Sequence, residues 1–341
     1  MVYPKQNRNT MPNEIDIQED DIMQLDEQLL NVLLKDHTRS TEQEQHNIFW
    51  ATTQYEYLGK GYGFNDEIIP SNITGEHGHV IMPRVLKDQE SQKARSKDMA
   101  EVFTPSWVCN AQNNLIDSSW FGRMDVFNHE NDDCTWTDQP NKIVFPEGKT
   151  WKDYVRDRRL EITCGEAPYL VSRYDTTTGE SLPLQHRIGL LDRKLRVISE
   201  NVDNSHDWLK AAQRAYKSTY AYEWQGDSLL LAREAMLYTF IDYYRAKFGK
   251  PPVAKSIVYI AYIISWNVWQ MDGLKGVVPC SCKTQTTNVK KFYGEDTIIE
   301  APCEGCKGNG IRHHNGIYCY IREWKKSDSK LDRIKFIDTI K

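Results

Sequence analysis

Residues 160–171 constrain the fold more than any other stretch of this 341-residue chain. An apolar approach ends at Glu161, and a turn of small residues containing Gly165 leads into a second apolar run. Glycine lets a backbone approach a ligand closely, and a helix that follows such a turn offers free N–H groups. The pattern is typical of a parallel strand that ends at a nucleotide-type cofactor.

Strand and helix candidates alternate around this turn. A short strand is predicted at 158–162, and helices are predicted at 187–198, at 208–216 and from Asp227 to a stop at Gly249. Residues 256–265 are almost wholly apolar, which fits either a buried strand or a buried helix. The alternation predicts an α/β fold with a mainly parallel sheet.

Changes in composition divide the chain into four regions. Residues 1–45 are polar and mixed in charge, which predicts a flexible segment with one amphipathic helix at 22–34. Residues 46–99 form a small α+β region with short strands and turns. The α/β domain follows at 100–278, and a cysteine-rich lobe occupies 279–341.

Composition and charge exclude several classes of protein. No apolar run approaches the roughly 20 residues that span a bilayer, which excludes a membrane protein. The N-terminus lacks the pattern of a signal peptide, so we expect a cytoplasmic protein. The formal net charge is −5, so contact with nucleic acid requires local basic patches rather than the field of the whole molecule.

The cysteines predict a metal site. In a reducing compartment the eight cysteines are not expected to form a disulfide framework. Zn²⁺ prefers four tetrahedral ligands, and closely spaced thiolates are typical of structural zinc sites. We therefore predict a structural zinc held by two cysteine pairs, separated by twenty residues: Cys280 and Cys282, Cys303 and Cys306. The spare ligands nearby are His313, His314 and Cys319. The alternative is four unpaired surface thiols.

Basic and aromatic residues interleave after the second cysteine pair. The basic members are Lys307, Arg312, His313, His314, Arg322, Lys325 and Lys326. The aromatic members are Tyr318, Tyr320 and Trp324. Such a surface could contact a phosphate backbone, and it is equally typical of the solvated face of a small lobe.

Four segments in a fixed order resemble the S-adenosylmethionine-binding motifs of adenine-N6 DNA methyltransferases, the modification subunits of restriction systems. The resemblance covers about residues 100–278. The segments are Thr104-Pro105, the turn with Glu161, Cys164, Gly165 and Ala167, the strand end Tyr220-Ala-Tyr-Glu223, and Asn267-Val-Trp-Gln-Met-Asp272.

The resemblance implies a Rossmann-type, methyltransferase-like fold and a cofactor site. Glu223 is expected to accept hydrogen bonds from the ribose hydroxyls of S-adenosylmethionine, as an acid does in dinucleotide folds. Glu161 is expected to face the ammonium group, Asp272 to accept from the adenine amino group, and Thr104 to hold the carboxylate. The other binding residues are Pro105, Cys164, Gly165 and Ala167.

The chain departs from the family pattern at two places. Ala167 stands where the second glycine of the cofactor loop is usual. No Asn-Pro-Pro or Asp-Pro-Pro followed by an aromatic residue comes after Asp272, although the family uses that segment to grip the flipped adenine. The only Pro-Pro pair is Pro251-Pro252, beyond the end of a helix, so the catalytic residues are unassigned.

These observations lead to three hypotheses. The first is a DNA adenine-N6 methyltransferase-like subunit of a restriction–modification system, with double-stranded DNA and a partner subunit as its partners. The second is a catalytically degenerate methyltransferase fold that serves as a DNA- or partner-binding regulator or assembly subunit. The third is a zinc-dependent adaptor with no cofactor.

Overall fold

The chain folds into a mixed α/β structure built around a three-stranded parallel sheet. The computed structural model describes residues 15–99, 101–289, 297–324 and 333–340. Within them the α-helices are α1 (Glu19–Leu25), α2 (Leu29–Leu34), α3 (Gln89–Met99), α4 (Ser106–Phe121), α5 (Trp151–Arg156), α6 (Leu190–Asn201), α7 (Ser205–Lys217), α8 (Gly226–Phe248), α9 (Ala254–Asn267) and α10 (Glu304–Gly308). The strands are β1 (Asn128–Glu130), β2 (Trp136–Asp138), β3 (Arg159–Glu161), β4 (Thr219–Glu223), β5 (Val268–Gln270), β6 (Gln285–Val289), β7 (Thr297–Ala301), β8 (Tyr320–Arg322) and β9 (Arg333–Lys335).

The parallel sheet confirms the predicted α/β core. Its order is β3-β4-β5, with Glu161 opposite Ala221 and Glu223 opposite Gln270. Two helices separate each pair of neighbouring strands, because parallel strands need a long crossover connection. The other strands of the described residues form three antiparallel pairs, β1-β2, β6-β7 and β8-β9.

The two long helices after β4 form the centre of the core. α8 ends where predicted, since Gly249 adopts a left-handed conformation (φ +68°) that favours glycine at a helix end. The ambiguous apolar run at 256–265 is helical, as part of α9. Its fourteen residues are long for a strand and usual for a helix, and α9 packs against α2, α7 and α8.

The region from 15 to 45 is part of the core, whereas the sequence predicted a flexible segment with a single helix. It forms two short helices, and α2 packs on α9 with Leu29, Leu30, Leu33 and Leu34 fully buried. Each buried leucine contributes about 1.5–3 kcal/mol, so the four buried leucines of α2 outweigh the polar composition around them. Residues 1–14 lie outside the described part of the chain.

Residues 46–99 contain turns, single-turn 3₁₀ helices and α3, and no strand is present among those described, in contrast to the predicted short strands. Their extended start packs directly on the parallel sheet. The Gln270 side chain accepts from the Phe49 N–H at 3.0 Å and donates to the Phe49 carbonyl at 2.8 Å. A Cβ on Gly226 would lie 2.1 Å from the Phe49 carbonyl oxygen, so this contact requires glycine at the start of α8.

Candidate functional site

A cavity of about 720 Å³ lies at the carboxyl ends of β3 and β4. Ligands of open α/β sheets usually bind at this edge, outside the strand ends. Its walls come from the turn after β3, the turn after β4 and the segment before α4. The charged residues that line it are Lys97, Glu101, Glu161 and Glu223. Of the predicted cofactor-binding residues, those that line it are Thr104, Glu161, Cys164, Gly165 and Glu223.

Glu223 joins the two turns. Its Oε2 accepts the Gly165 N–H at 2.8 Å, and its Oε1 accepts the N–H groups of Trp224 and Gln225 at 2.8 and 3.2 Å. An ionised carboxylate offers about four acceptor positions, so one is left for a ligand. Burial raises the pKa of Glu223 and the three N–H donors oppose that rise.

Glu161 is buried at the end of β3, and its two oxygens accept from the N–H groups of Tyr169 and Leu170 at 3.3 and 3.1 Å. Burial raises the pKa of Glu161 to about 8, the two N–H donors lower it, and the charge of Glu223 raises it further. Glu161 is therefore largely protonated at neutral pH when the cavity holds no cation.

The turn after β3 winds through left-handed backbone conformations. Thr163, Gly165 and Ala167 have φ of +46°, +52° and +60°. This conformation costs a residue other than glycine about 1–2 kcal/mol, so glycine is favoured at each of these positions. Ala167 is fully buried, its N–H donates to the Cys164 carbonyl at 2.7 Å, and it does not line the cavity.

Cys164 anchors the turn to the sheet. Its N–H donates to the Tyr222 carbonyl at 2.9 Å and its side chain is 3% exposed. Burial holds the pKa of its thiol well above the usual range. A thiol that stays protonated is a poor nucleophile, so Cys164 acts through packing and position.

The segment before α4 covers the turn after β3. The Phe103 ring lies 3.8 Å from where a Cβ on Gly165 would stand, and the Arg84 guanidinium is 5.1 Å from the centre of that ring. The Thr104 carbonyl accepts the Thr176 hydroxyl at 3.2 Å. Pro105 precedes α4 and does not line the cavity.

Glu101 is a cavity residue that the sequence analysis missed. Its Oε2 pairs with Arg95 Nε at 2.5 Å, and Arg95 also pairs with Asp227 at 2.7 Å. Its Oε1 is buried without a hydrogen-bond partner, and Arg84 Nε lies 3.7 Å away. Glu101 therefore lies between two arginines at the cavity wall. The charged stretch before Glu101 has the composition of a solvated linker. Only the burial of Arg95 shows that this stretch instead packs against the cavity wall.

Asp272 lies away from the cavity, in contrast to the predicted contact with adenine. Its Oδ1 accepts the N–H groups of Leu274 and Lys275 at 3.1 and 3.2 Å, and its Oδ2 pairs with Lys275 Nζ at 3.1 Å. Asp followed by Gly favours such a turn, in which the side chain bonds the backbone two or three residues on.

A second cluster consists of Cys282, Cys303, Cys306 and His314, which we call the Cys3His cluster. Their ligand atoms all lie within 4.8 Å of one another. His314 Nδ1 is 3.6, 3.6 and 3.7 Å from the three sulfurs. Bonds of about 2.0–2.3 Å to a tetrahedral zinc place ligand atoms roughly 3.5 Å apart, so the cluster could hold a structural zinc.

Cys280, a predicted ligand, lies outside this cluster, and His314 stands in its place. Cys280 is exposed, has φ of +55° and lines the cavity at the carboxyl ends of β3 and β4. The left-handed backbone of Cys280 sits in a turn two residues before Cys282, and only Cys282 joins the cluster. By contrast, Cys303 and Cys306 bracket the start of α10, where the Cys306 N–H donates to the Cys303 sulfur.

The predicted basic and aromatic surface is only partly continuous. Arg322 is almost buried, lies 4.3 Å from the centre of the Trp324 ring and donates to the Tyr262 hydroxyl at 2.7 Å. Arg312 donates to the Ile340 carbonyl at 2.8 Å. Lys325 and Lys326 lie outside the described residues. The arginines therefore serve the fold of the lobe.

Comparison with known proteins gives no relative: no family model, curated protein or solved structure matches the chain.

Among the described residues, no helix combines the length and the apolar character needed to cross a lipid bilayer.

Proposed function

We propose that the chain is an S-adenosylmethionine-binding, methyltransferase-like protein, the DNA adenine-N6 methyltransferase-like subunit of a restriction–modification system. The observation that carries the proposal is the hydrogen bond from Gly165 to Glu223 inside one cavity. These residues come from two of the four segments that together resemble the cofactor-binding motifs, and 58 positions separate them in the chain.

The strand order supports a Rossmann-type methyltransferase core. In doubly wound sheets the first three strands lie in the order 3-2-1, and β5-β4-β3 reproduces that order with helical crossovers. The turn with Gly165 follows the first of these strands, and the acid Glu223 ends the second. The other half of such a sheet is absent from the described residues.

The cavity suits a cationic ligand of this size. Small-molecule sites usually measure about 300–1,000 Å³, and this cavity measures about 720 Å³. The carboxyl groups of Glu161 and Glu223 line it, and the positively charged sulfonium and ammonium groups of the donor favour the ionised forms of both. Glu223 has one acceptor position for a ribose hydroxyl.

Titration calorimetry with S-adenosylmethionine tests whether this cavity binds the cofactor. Ile162 is 62% exposed on the cavity wall, so Ile162→Trp narrows the cavity without disturbing the core. We expect binding to weaken at least about tenfold in this variant. Leu160→Trp is the matched control. Leu160 is exposed like Ile162, but it lies within β3 and does not line the cavity. Absence of both heat and thermal stabilisation at about 1 mM ligand excludes the proposal.

The second candidate is a degenerate methyltransferase fold that binds DNA or a partner without catalysis. Asp272 favours it, because its carboxylate closes a turn that leads toward the Cys3His cluster, where the family places its adenine-gripping loop. A methyl-transfer assay on mixed-sequence DNA separates the two candidates. Detection of N6-methyladenine excludes the degenerate protein, and cofactor binding without methylation supports it.

The third candidate, a zinc-dependent adaptor, requires that S-adenosylmethionine does not bind. In every case we assign a structural role to the Cys3His cluster, because four protein ligands leave no open position for a substrate. We propose DNA and a partner subunit as binding partners only because the four segments resemble those of adenine-N6 DNA methyltransferases.

A further inference from the structure

A second cavity, of about 540 Å³, lies between α5, α7 and the turn that joins α6 to α7. α5 and α7 end just before β3 and β4 begin, whereas the first cavity lies at the carboxyl ends of these strands. No residue lines both cavities. The second cavity is therefore separate from the proposed cofactor site.

Four cations line this second cavity. Lys152 and Arg156 are four residues apart on α5, and Lys210 and Arg214 are four residues apart on α7. This spacing places each pair on one face of its helix, and the two helices pack against each other. Two cationic rows therefore border a single cavity.

None of these four cations forms a salt bridge among the described residues, and the charge of Arg156 is one cause that lowers the pKa of Asp153 on the same helix. The cavity also contains Asp203 and Asp207. Asp203 pairs with Lys247 at 3.0 Å, and Asp207 accepts from Asn204 Nδ2 at 2.9 Å. Both carboxylates therefore have partners outside the cationic rows.

The floor of the cavity is apolar. It is formed by Trp151, Val155, Val202 and Ala211, the last three of them buried. The Lys152 ammonium lies 5.6 Å from the centre of the Trp151 ring. An apolar floor with a cationic rim fits a ligand that has a flat apolar body and several negative charges.

We infer that this cavity binds a small organic phosphate of the nucleotide type, with the phosphates between the cations of α5 and α7 and the ring against Trp151. Arg and Lys are the usual partners of phosphate, and Arg contacts it through two parallel hydrogen bonds. A chain of two or three phosphates offers more anionic oxygens to the two rows of cations than a single phosphate does.

Calorimetry on the full chain with pyrophosphate, AMP, ADP and ATP, each without a divalent cation, tests the inference. We expect affinity to rise from AMP to ATP and to fall with salt. Lys210→Glu combined with Arg214→Glu should weaken ATP binding at least about tenfold. The control pair Lys142→Glu and Lys250→Glu makes the same change of charge at exposed positions outside both cavities, and should leave the affinity within about twofold.

Three results overturn the inference. They are no binding of any of the four compounds at about 5 mM, equal weakening in both double variants, and loss of ATP binding in Ile162→Trp, which places the ligand in the first cavity. Binding of a duplex DNA oligomer is measured in the same way. If it binds through Lys210 and Arg214 while ATP does not, the surface serves nucleic acid and the assigned ligand class is wrong.

Discussion

The Gly165 N–H donates to Glu223 Oε2 at 2.8 Å and so ties the turn after β3 to the end of β4. The same carboxylate accepts from Trp224 and Gln225, where α8 begins. One buried side chain therefore sets the shape of the first cavity, whatever ligand it holds.

Glu223→Ala should destabilise the chain, because it leaves three N–H donors at a buried position without their acceptor. Each unsatisfied buried donor costs about 1–3 kcal/mol, so we expect a loss of at least about 2 kcal/mol in the free energy of unfolding. Urea denaturation measures it. Glu56→Ala, at an exposed position, should change the free energy by less than about 0.5 kcal/mol. Equal effects of the two substitutions contradict this role of Glu223.

Glu161 should make stability depend on pH. Its pKa is raised to about 8 in the folded chain, mainly by burial, so its contribution is fully present below the unfolded pKa of about 4.5. The contribution is then lost as the pH rises to about 8, with a slope of up to about 1.4 kcal/mol per pH unit. Glu161→Gln should reduce this slope between pH 5 and 8. An unchanged slope in urea titrations shows that Glu161 is ionised in the free protein.

Glu19 and Glu234 form a second pH-dependent site, between α1 and α8. Both are buried, and none of their four carboxyl oxygens has a hydrogen-bond partner. Burial raises the pKa of Glu19 to about 9 and that of Glu234 well above its usual range. The negative charge of Asp16 raises both pKa values further.

Because both folded pKa values are raised, the stability contributed by protonated Glu19 is lost as the pH rises through about 9, and that of protonated Glu234 is lost as the pH rises through its own raised pKa. Glu234→Met should raise the melting temperature, and more at pH 9 than at pH 6, since a neutral side chain of similar size replaces a buried acid. Glu76→Met, at an exposed position, is the control. A lower melting temperature at both pH values contradicts the assignment.

The Cys3His cluster should bind one zinc per chain. Elemental analysis of Cys303→Ser or His314→Ala should show loss of the metal, and chelation should lower the melting temperature of the wild-type protein. Cys280→Ser is the matched control and should retain the metal, because Cys280 lies outside the cluster. Loss of zinc in Cys280→Ser together with retention in His314→Ala restores the ligand set predicted from the sequence.

Gly226→Ala should be strongly destabilising. Its Cβ would lie 2.1 Å from the Phe49 carbonyl oxygen, which is backbone and cannot move aside cheaply. We expect a loss of about 3 kcal/mol or more, as for other core positions where an added atom forces the backbone to shift. Gly308→Ala, which meets nothing within 4 Å, should be nearly neutral. Thermal unfolding compares the two variants.

Local signals were enough to predict several parts of this protein. The helix ended by Gly249 and the alternation of strands and helices depend on residues close in sequence, whereas the expectation that Gly165 and Glu223 share a site came from the family resemblance of their segments. The approximate position of the metal site followed from the spacing of Cys303 and Cys306 on one short turn.

Contacts between distant segments could not be predicted in this way. The polar region around α2 looks flexible until its leucines meet α9, and Glu101 looks solvated until Arg95 is buried against Asp227. The choice of His314 over Cys280 likewise depends on how the chain returns to the cluster after α10.

The sequence by itself determined the helix that ends at Gly249, the parallel core and the turn with Gly165, because backbone propensity and hydrophobic periodicity act over a few residues. Only the tertiary structure decided which side chains share a cavity, which four atoms can hold a metal, and which acids are buried with raised pKa values. Those properties depend on desolvation and on distances of a few ångströms between segments far apart in the chain, which no local pattern encodes.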